Sequence, residues 1–468
     1  MKSRARDLEE LTRELVSENR RLGFIAPAMR MQRVALILAR HGFGEILERR
    51  KPSPAGIGPR LARLFADLGP TFIKLGQLLA TREDLFPPEV TRALAGLHSG
   101  VPPMKPRVVE RLLKRALGDD FERAFASVDP QPLAAASIGQ VHRAVLRVPH
   151  DGIDRVVVKI QRPGLARIVA ADLALMRAFA GWLGRAIPEV AALDPVALLD
   201  AFERSIEGEL DFTREAANAT RLATLLEGAP EVRVPRIVTT LVRPTVLVME
   251  EVHGKKLTAL AEPEQKAARG ALLRAFTRQI LDHGVFHADP HPGNVLVEGD
   301  GRLVLIDLGA VERVDERLRA DLGRLVRALA LGQKRALADA VLALSPDGAS
   351  VSVDRARLEN ELGQLVADAG GKGDGARVLG QMVALGRTHK LRLSPSLLAL
   401  VRALALLDGV LRGLDPARDL VADLRREWIL SFGRRMTRWW RRALGSLGAL
   451  ARLWPASNAL TILRSRRL

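Results

Sequence analysis

The chain alternates between long helical patterns and a few short apolar runs, and the short runs cluster in its middle. Val156-Val157-Val158-Lys159-Ile160 is β-branched apart from one lysine and predicts a strand. Thr245 to Val252 is a second predicted strand that ends in Glu250 and Glu251. Asn294 to Val297, a turn at 298–301 and Leu303 to Ile306 predict a β-hairpin. Between these, residues 202–216 are acidic, with apolar residues at 202, 206 and 210, the spacing of one helical face. Proline and glycine punctuate the rest. Pro52-Ser53-Pro54-Ala55-Gly56 predicts a linker, Pro87-Pro88 and Pro102-Pro103 predict breaks, and Gly370 to Gly375 predicts a loop. The expected organisation is a helical segment at 1–56, a helical extension at 57–117, and a small lobe at 118–250 with a helical insertion near 165–198. A large lobe at 251–424, mostly helical after Asp307, and a tail at 425–468 complete it.

The chemistry concentrates near residue 290. Phe286-His287-Ala288-Asp289-Pro290-His291-Pro292-Gly293-Asn294 precedes the hairpin, whose second strand delivers Ile306-Asp307-Leu308-Gly309. An Asp followed five residues later by Asn, then Asp-x-Gly at a strand end, is the pattern of a phosphoryl-transfer loop. Mg²⁺ takes oxygen ligands, so Asn294 and Asp307 are the candidate metal residues for an ATP–Mg²⁺ site. Asp289 is the candidate base that orients an incoming hydroxyl or water. His283, His287 and His291 have the four-residue spacing of a helical zinc face, but Pro290 and Pro292 break such a helix.

Upstream, Lys159 is placed to grip the α- and β-phosphates of a nucleotide. Ala134-Ala135-Ala136-Ser137 stands where a glycine-rich loop would cover those phosphates, and alanine restricts the backbone where glycine would free it. Lys159 needs a helical carboxylate as partner, and Glu209 is the residue expected to supply it. The strand end at Glu250 and Val252 is the expected adenine-binding hinge.

Three features together resemble the atypical kinase-like family known as ABC1, ADCK or UbiB, which is linked to ubiquinone biosynthesis. They are Lys74-Leu75-Gly76-Gln77, similar to a KxGQ motif, the alanine-rich loop, and Glu209-Leu210-Asp211 with Glu215-Ala216 and Asn218, similar to an ExD segment. The likeness runs from about residue 57 to 320 with the motifs in order. It implies an α+β, two-lobed protein-kinase-like fold with an N-terminal KxGQ helical extension and a mostly helical large lobe. It also implies ATP and Mg²⁺ as cofactors, Lys159 as the nucleotide lysine with Glu209 beside it, and Lys74 and Gln77 as regulatory residues over the nucleotide cleft. Occluded acceptor access and ATP hydrolysis rather than protein phosphorylation follow from that arrangement. One departure is Leu97-His98-Ser99 where many members carry Leu-Gln-Asp. A small-molecule phosphotransferase of the aminoglycoside or choline type would lack the KxGQ extension. A scaffold without turnover stays open, against the intact Lys159, Asp289, Asn294 and Asp307.

Composition adds a partner class. The 468 residues are 47% hydrophobic, lack cysteine and carry a net charge of +18. Disulfides and thiolate metal sites are thereby excluded. The first thirty residues are charged and show no signal peptide. From Arg425 to Leu468 there are 11 arginines and one acid, with four of the five tryptophans. Tryptophan beside arginine favours an anionic membrane interface. The uncharged run Ala443 to Ala451 has nine residues, whereas a spanning helix needs about twenty. The expected setting is therefore cytoplasmic, peripheral to the inner face of the membrane. Partners would be a nucleotide, an anionic surface or isoprenoid lipid, and lipid-biosynthesis enzymes; no nucleic-acid recognition motif is found. Truncation after Asp423 is expected to weaken flotation with anionic liposomes and its salt sensitivity, at about 1 kcal/mol per basic residue near the surface. Equal flotation of full-length and truncated protein would assign binding to another surface.

Overall fold

The structure, a computed structural model, describes residues 25–41, 54–80, 86–97, 102–186, 194–345, 353–369, 375–389, 391, 393–415, 423 and 426–427. They divide into two compact units, and the chain passes from one to the other at 217/218, 235/236 and 251/252. The basic tail lies outside the described residues, apart from Arg426 and Glu427. No helix among the described residues is long and apolar enough to cross a membrane.

The first unit opens with helices α1 (Ile25–Arg40), α2 (Pro54–Leu68), α3 (Pro70–Ala80) and α4 (Pro88–Ala95). Three of the four begin with proline, whose missing N–H is no loss in a first helical turn. That corrects the linker expected at 52–56: Pro54 to Gly56 are the first turn of α2. Arg30 of α1 binds the fully buried Asp172 of α7 (Leu165–Ala186) at 2.5 and 2.9 Å and donates to the Leu68 carbonyl at 2.7 Å. Removing one partner of such a pair leaves a buried charge uncompensated, which costs about 3–5 kcal/mol.

The KxGQ sequence is built into this packing. A Cβ on Gly76 would lie 2.4 Å from Leu97 Cδ1 and 2.7 Å from the Phe65 ring, so only glycine allows α3 to approach so closely. Gln77 donates to the Leu97 carbonyl at 3.1 Å, which ties α3 to the end of α4. Residues 98–101, where the family-like Asp is missing, lie outside the described residues.

Four antiparallel strands follow: β1 (Phe125–Ala135), β2 (Gly139–His150), β3 (Ile153–Gln161) and β5 (Val246–Glu250), in that spatial order. Alternation in β3 sorts its side chains between two faces. Val156, Val158 and Ile160 pack with Val109, Leu113 and Leu117 of α5 (Pro106–Leu117), which the short α6 (Asp120–Ala124) follows. Val157 packs on the other face with Phe212, Ala216, Leu247 and Met249, and Lys159 shares that face by alternation.

The acidic stretch at 202–216 is two helices. α8 (Pro195–Glu209) ends at Leu210, and Asp211 starts α9 (Phe212–Leu225) by accepting from the Thr213 N–H at 3.0 Å. An Asx residue that bonds the next backbone N–H groups stops one helix and caps another. Phe202 and Ile206 are buried as their spacing predicted, while Leu210 is only partly buried.

In the second unit a parallel pair, β4 (Val232–Arg233) with β9 (Leu303–Leu305), joins the antiparallel hairpin partner β8 (Val295–Val297) and the edge strand β6 (Lys255–Lys256). A separate two-stranded ladder pairs β7 (Val285–His287) with β10 (Val311–Arg313). Helix α10 (Glu262–Thr277) precedes β7, and α11 to α15 follow β10: Glu316–Ala330, Lys334–Ala343, Arg355–Ala369, Gly375–Thr388 and Pro395–Leu414. Of the predicted glycine loop only Gly375 is described, as the first residue of α14.

Gly76→Ala is expected to destabilise the first unit by about 1–3 kcal/mol through overpacking against Leu97 and Phe65. Urea unfolding of the variant beside the parent measures this; an unchanged midpoint would mean that α3 and α4 separate at no cost.

Candidate functional site

In the first unit, Lys159 emerges from the centre of β3 among valines, which fixes its stem and leaves only its ammonium to find a partner. That partner is Glu215, whose two oxygens lie 2.7 and 2.9 Å from Nζ. The carboxylate is nearly buried, its side chain 6% exposed, and the ammonium sits 5.1 Å from the centre of the Phe212 ring. Glu209, the expected partner, is instead bound to Lys74 at 2.6 Å. The cause is the break at Asp211. A single helix would have carried Glu209 onward toward the strand, whereas ending α8 there turns Glu209 to the extension and presents Glu215 from the first turn of α9. The signal was legible in the spacing of Phe212, Ala216, Ala219 and Leu222, all buried, with Glu215 adjacent to that stripe.

The alanine segment is a tight hairpin rather than an open loop. Ala134 and Ala135 still pair with β2, and only Ala136 to Ile138 make the turn, closed by Ala136 N–H to the Gly139 carbonyl at 2.8 Å. Ser137 is buried. Arg162 holds the turn from outside: its N–H donates to the Ile138 carbonyl, its Nε to the Ala136 carbonyl and its Nη2 to the Pro102 carbonyl, at 2.8, 3.0 and 3.0 Å. Burial lowers the Arg162 pKa from its ordinary value. Gln140 adds a second tie, accepting from the Met104 N–H at 2.6 Å. Neither Arg162 nor Gln140 was singled out in the sequence, because side-chain bonds to main-chain groups leave no charge pattern.

Glu250 ends β5 and turns its carboxylate to Arg236, accepting from the N–H at 3.1 Å and from Nε at 3.3 Å. The chain leaves the first unit between Glu251 and Val252.

In the second unit the 286–294 segment holds its own side chains in place. Asn294 closes a short 3₁₀ turn at Pro292–Asn294 and donates through Nδ2 to the Asp289 carbonyl and Oδ2, at 3.2 and 3.3 Å. The Asn294 amide nitrogen is thus committed to Asp289, so its side-chain Oδ1 is the atom that could hold a metal ion. Asp307, just past β9, accepts from the Gly309 N–H at 3.1 Å, and Asn218 donates to the intervening Leu308 carbonyl at 3.1 Å. The His287 ring is buried and accepts through Nδ1 from the Asp289 N–H at 3.1 Å, which places its proton on Nε2. His287 Nε2 has no hydrogen-bond partner among the described residues. Burial pushes the His287 pKa below its ordinary value, against the opposing charges of Asp307 and Asp289. His287 is therefore a neutral support for the loop.

A carboxylate and an amide carbonyl are the hard oxygen donors that Mg²⁺ takes, so Asn294 and Asp307 fit that ion chemically. Among the described residues no three His, Cys, Asp or Glu side chains gather as a metal site. A magnesium ion held partly by substrate phosphates needs no such group.

A family model described as the ABC1 atypical kinase-like domain matches residues 96–341. A protein of Azotobacter vinelandii named probable protein kinase UbiB is 40% identical over 272 residues, 56% of this chain and 50% of that protein. The chain thus spans about half the length of the UbiB relatives it matches. The Synechocystis protein slr0889, named as uncharacterized, is 34% identical over 384 residues, 78% of this chain and 92% of that protein. Among solved structures, a Mycobacterium tuberculosis complex of Rv3197 with erythromycin aligns with a TM-score of 0.55 at 28% identity, over 76% of this chain and 91% of that one. With the lysine–glutamate pair on the sheet and the Asp–Asn loop before Asp307, these matches place the chain in the ABC1 atypical kinase-like family.

Proposed function

We propose that the chain is a Mg²⁺-dependent ATPase of the atypical kinase type that supports isoprenoid-lipid metabolism, ubiquinone synthesis included, at a membrane surface. The observation that carries the reading is the nearly buried Lys159–Glu215 ion pair. A lysine held straight by a carboxylate presents a fixed positive charge to nucleotide phosphates, and phosphoryl transfer depends on such positioning. Asn294 and Asp307 would hold Mg²⁺, which neutralises charge on the phosphates. Asp289, held by Asn294, would orient the attacking water.

Water is the acceptor in this reading. Lys74 is engaged by Glu209 at 2.6 Å, and Gly76 and Gln77 lock the same helix to Leu97. An extension packed this firmly favours hydrolysis over transfer to a protein. The alanine turn, tied down by Arg162 and Gln140, restrains the backbone at the place where other kinases use mobile glycines. The resemblance to the ABC1, ADCK or UbiB family suggests quinone-lipid metabolism, and the basic, tryptophan-rich 425–468 segment suggests an anionic membrane face on the cytoplasmic side. Lipid-synthesis enzymes are the corresponding partners.

The deciding experiment is ATP turnover by pure protein with and without anionic liposomes, following phosphate release and lipid modification together. Asp307→Asn is expected to lower turnover by about 100-fold, the scale of losing one charge-stabilising group, with the fold retained. Undiminished turnover would remove Asp307 from the site.

The two glutamates separate in a binding measurement. Glu215→Gln takes away a charge-assisted bond worth about 1.5 kcal/mol and should weaken ATP binding about tenfold. Glu209→Gln leaves Lys159 paired and should keep the Kd within about threefold of the parent. Equal losses in both variants would return Glu209 to the nucleotide lysine.

A further inference from the structure

Helix α10 does not end as an α-helix. From Arg278 to His283 it continues as six residues of π-helix, and the Gly284 N–H is shared between the carbonyls of Gln279, five residues back, and Ile280, four back. Gly284 then turns with φ +64°, and a Cβ there would lie 2.7 Å from the Val314 carbonyl oxygen. The chain therefore spends an extra residue in this turn and leaves it through a position that only glycine fills. π-turns are rare, forgo regular hydrogen bonding and gather at functional sites.

What the turn presents is Gln279. Its side chain is fully buried, and Oε1 accepts from the His287 N–H at 2.9 Å. Its Nε2 has no hydrogen-bond partner among the described residues. Leaving a buried donor unmatched is unfavourable, so an apolar residue would serve plain packing better. The oxygen, by contrast, answers a specific need. β7 pairs with β10 so that Ala288 N–H reaches the Ala310 carbonyl at 2.8 Å, while His287 stands opposite Val311. In an antiparallel ladder alternate residues direct their N–H groups away from the partner strand. The His287 N–H therefore points off the open edge of a two-stranded sheet, in the interior, and Gln279 is what receives it.

The bonds then run on in one direction. The His287 ring accepts from the Asp289 N–H, and Asp289 accepts from Asn294. Fixing the main chain of His287 fixes its ring, and the ring fixes the main chain that carries the Asp289 carboxylate. We propose that Gln279 is a positioning residue for phosphoryl transfer: the π-turn delivers its amide oxygen to the His287 N–H, and the His287 ring relays that placement to Asp289.

The inference rests on the proposed ATPase reading for its kinetic consequence, and on hydrogen bonding alone for its structural one. Gln279→Leu removes the acceptor at similar volume. Gln279→Glu keeps an acceptor oxygen and replaces only the nitrogen that has no partner. In full-length protein with Mg²⁺ and ATP, Gln279→Leu is expected to lower kcat about 100-fold, the scale of a misplacement near one ångström. KM for ATP and the Kd of Mg²⁺–ATP should stay within about twofold, because Lys159 and the metal residues are untouched. Gln279→Glu should recover most of kcat. A Leu variant that keeps its kcat overturns the proposal, as does one that loses kcat and nucleotide affinity together without recovery in the Glu variant.

Amide hydrogen exchange at His287 provides the readout that does not depend on turnover. The parent and Gln279→Glu should protect this amide, and Gln279→Leu should exchange it about 100-fold faster, as for a loss near 3 kcal/mol. Unchanged protection in Gln279→Leu overturns the proposal. If the parent itself turns over no ATP, the ATPase reading fails while this comparison still decides whether Gln279 places His287.

Discussion

A lysine ammonium rising from a valine-rich strand must be paired, and the way this chain pairs Lys159 depends on where α8 ends and α9 begins. Its partner, Glu215, is itself nearly buried, so each charge stabilises the other and neither tolerates removal. The pairing needs α9 to start where it does. That start depends on Asp211, whose carboxylate captures the Thr213 N–H and hydroxyl, and on Phe212, buried beneath the lysine. Ending α8 one turn earlier frees Glu209 for Lys74 of the extension. Two lysines and two glutamates thereby sort into separate pairs because one short acidic residue interrupts what would have been a continuous helix.

The fold and part of the candidate site's local structure were legible in the residues, for physical reasons that can be named. The strand at 156–160 announces itself by β-branching, and the hairpin around 298–301 by a turn between two short apolar runs; both form. The Asp289–Asn294 hydrogen bonds were not among the expectations; the turn through Pro290 and Pro292 brings the two side chains together. The partner of Lys159 was misread because a helical stripe at 202, 206 and 210 was extended through Asp211. A capping side chain competes with the helix for the same backbone groups, and apolar periodicity alone does not weigh that competition. The linker at 52–56 was misread in a similar way, because proline at a first helical turn looks like a break until the following residues are counted.

Other features were invisible for a different reason. Arg162, Gln140 and Gln279 all act by bonding main-chain groups. A main-chain acceptor or donor exists at nearly every position, so sequence carries no complementary residue to search for. Such residues emerge only when the backbone is seen to have an unmet bond.

This distinction bears on how the second unit is held. Its candidate site residues, Asp289, Asn294 and Asp307, lie on short turns that regular secondary structure does not stiffen. The segment before Asp289 has one strand on one side and none on the other, which leaves the His287 N–H to be satisfied by a side chain. A regular helix running into β7 would place its last residues by its own repeat, without regard to that N–H. The π-turn inserts the residue that changes the repeat, and the positive φ of Gly284 restores the direction of the chain. The buried His287 ring then works only while neutral, since a proton on Nδ1 would face the Asp289 N–H instead of accepting from it. Burial keeps it so. The helix defect and the depressed histidine basicity are thus two parts of one support, and both precede the carboxylate they hold.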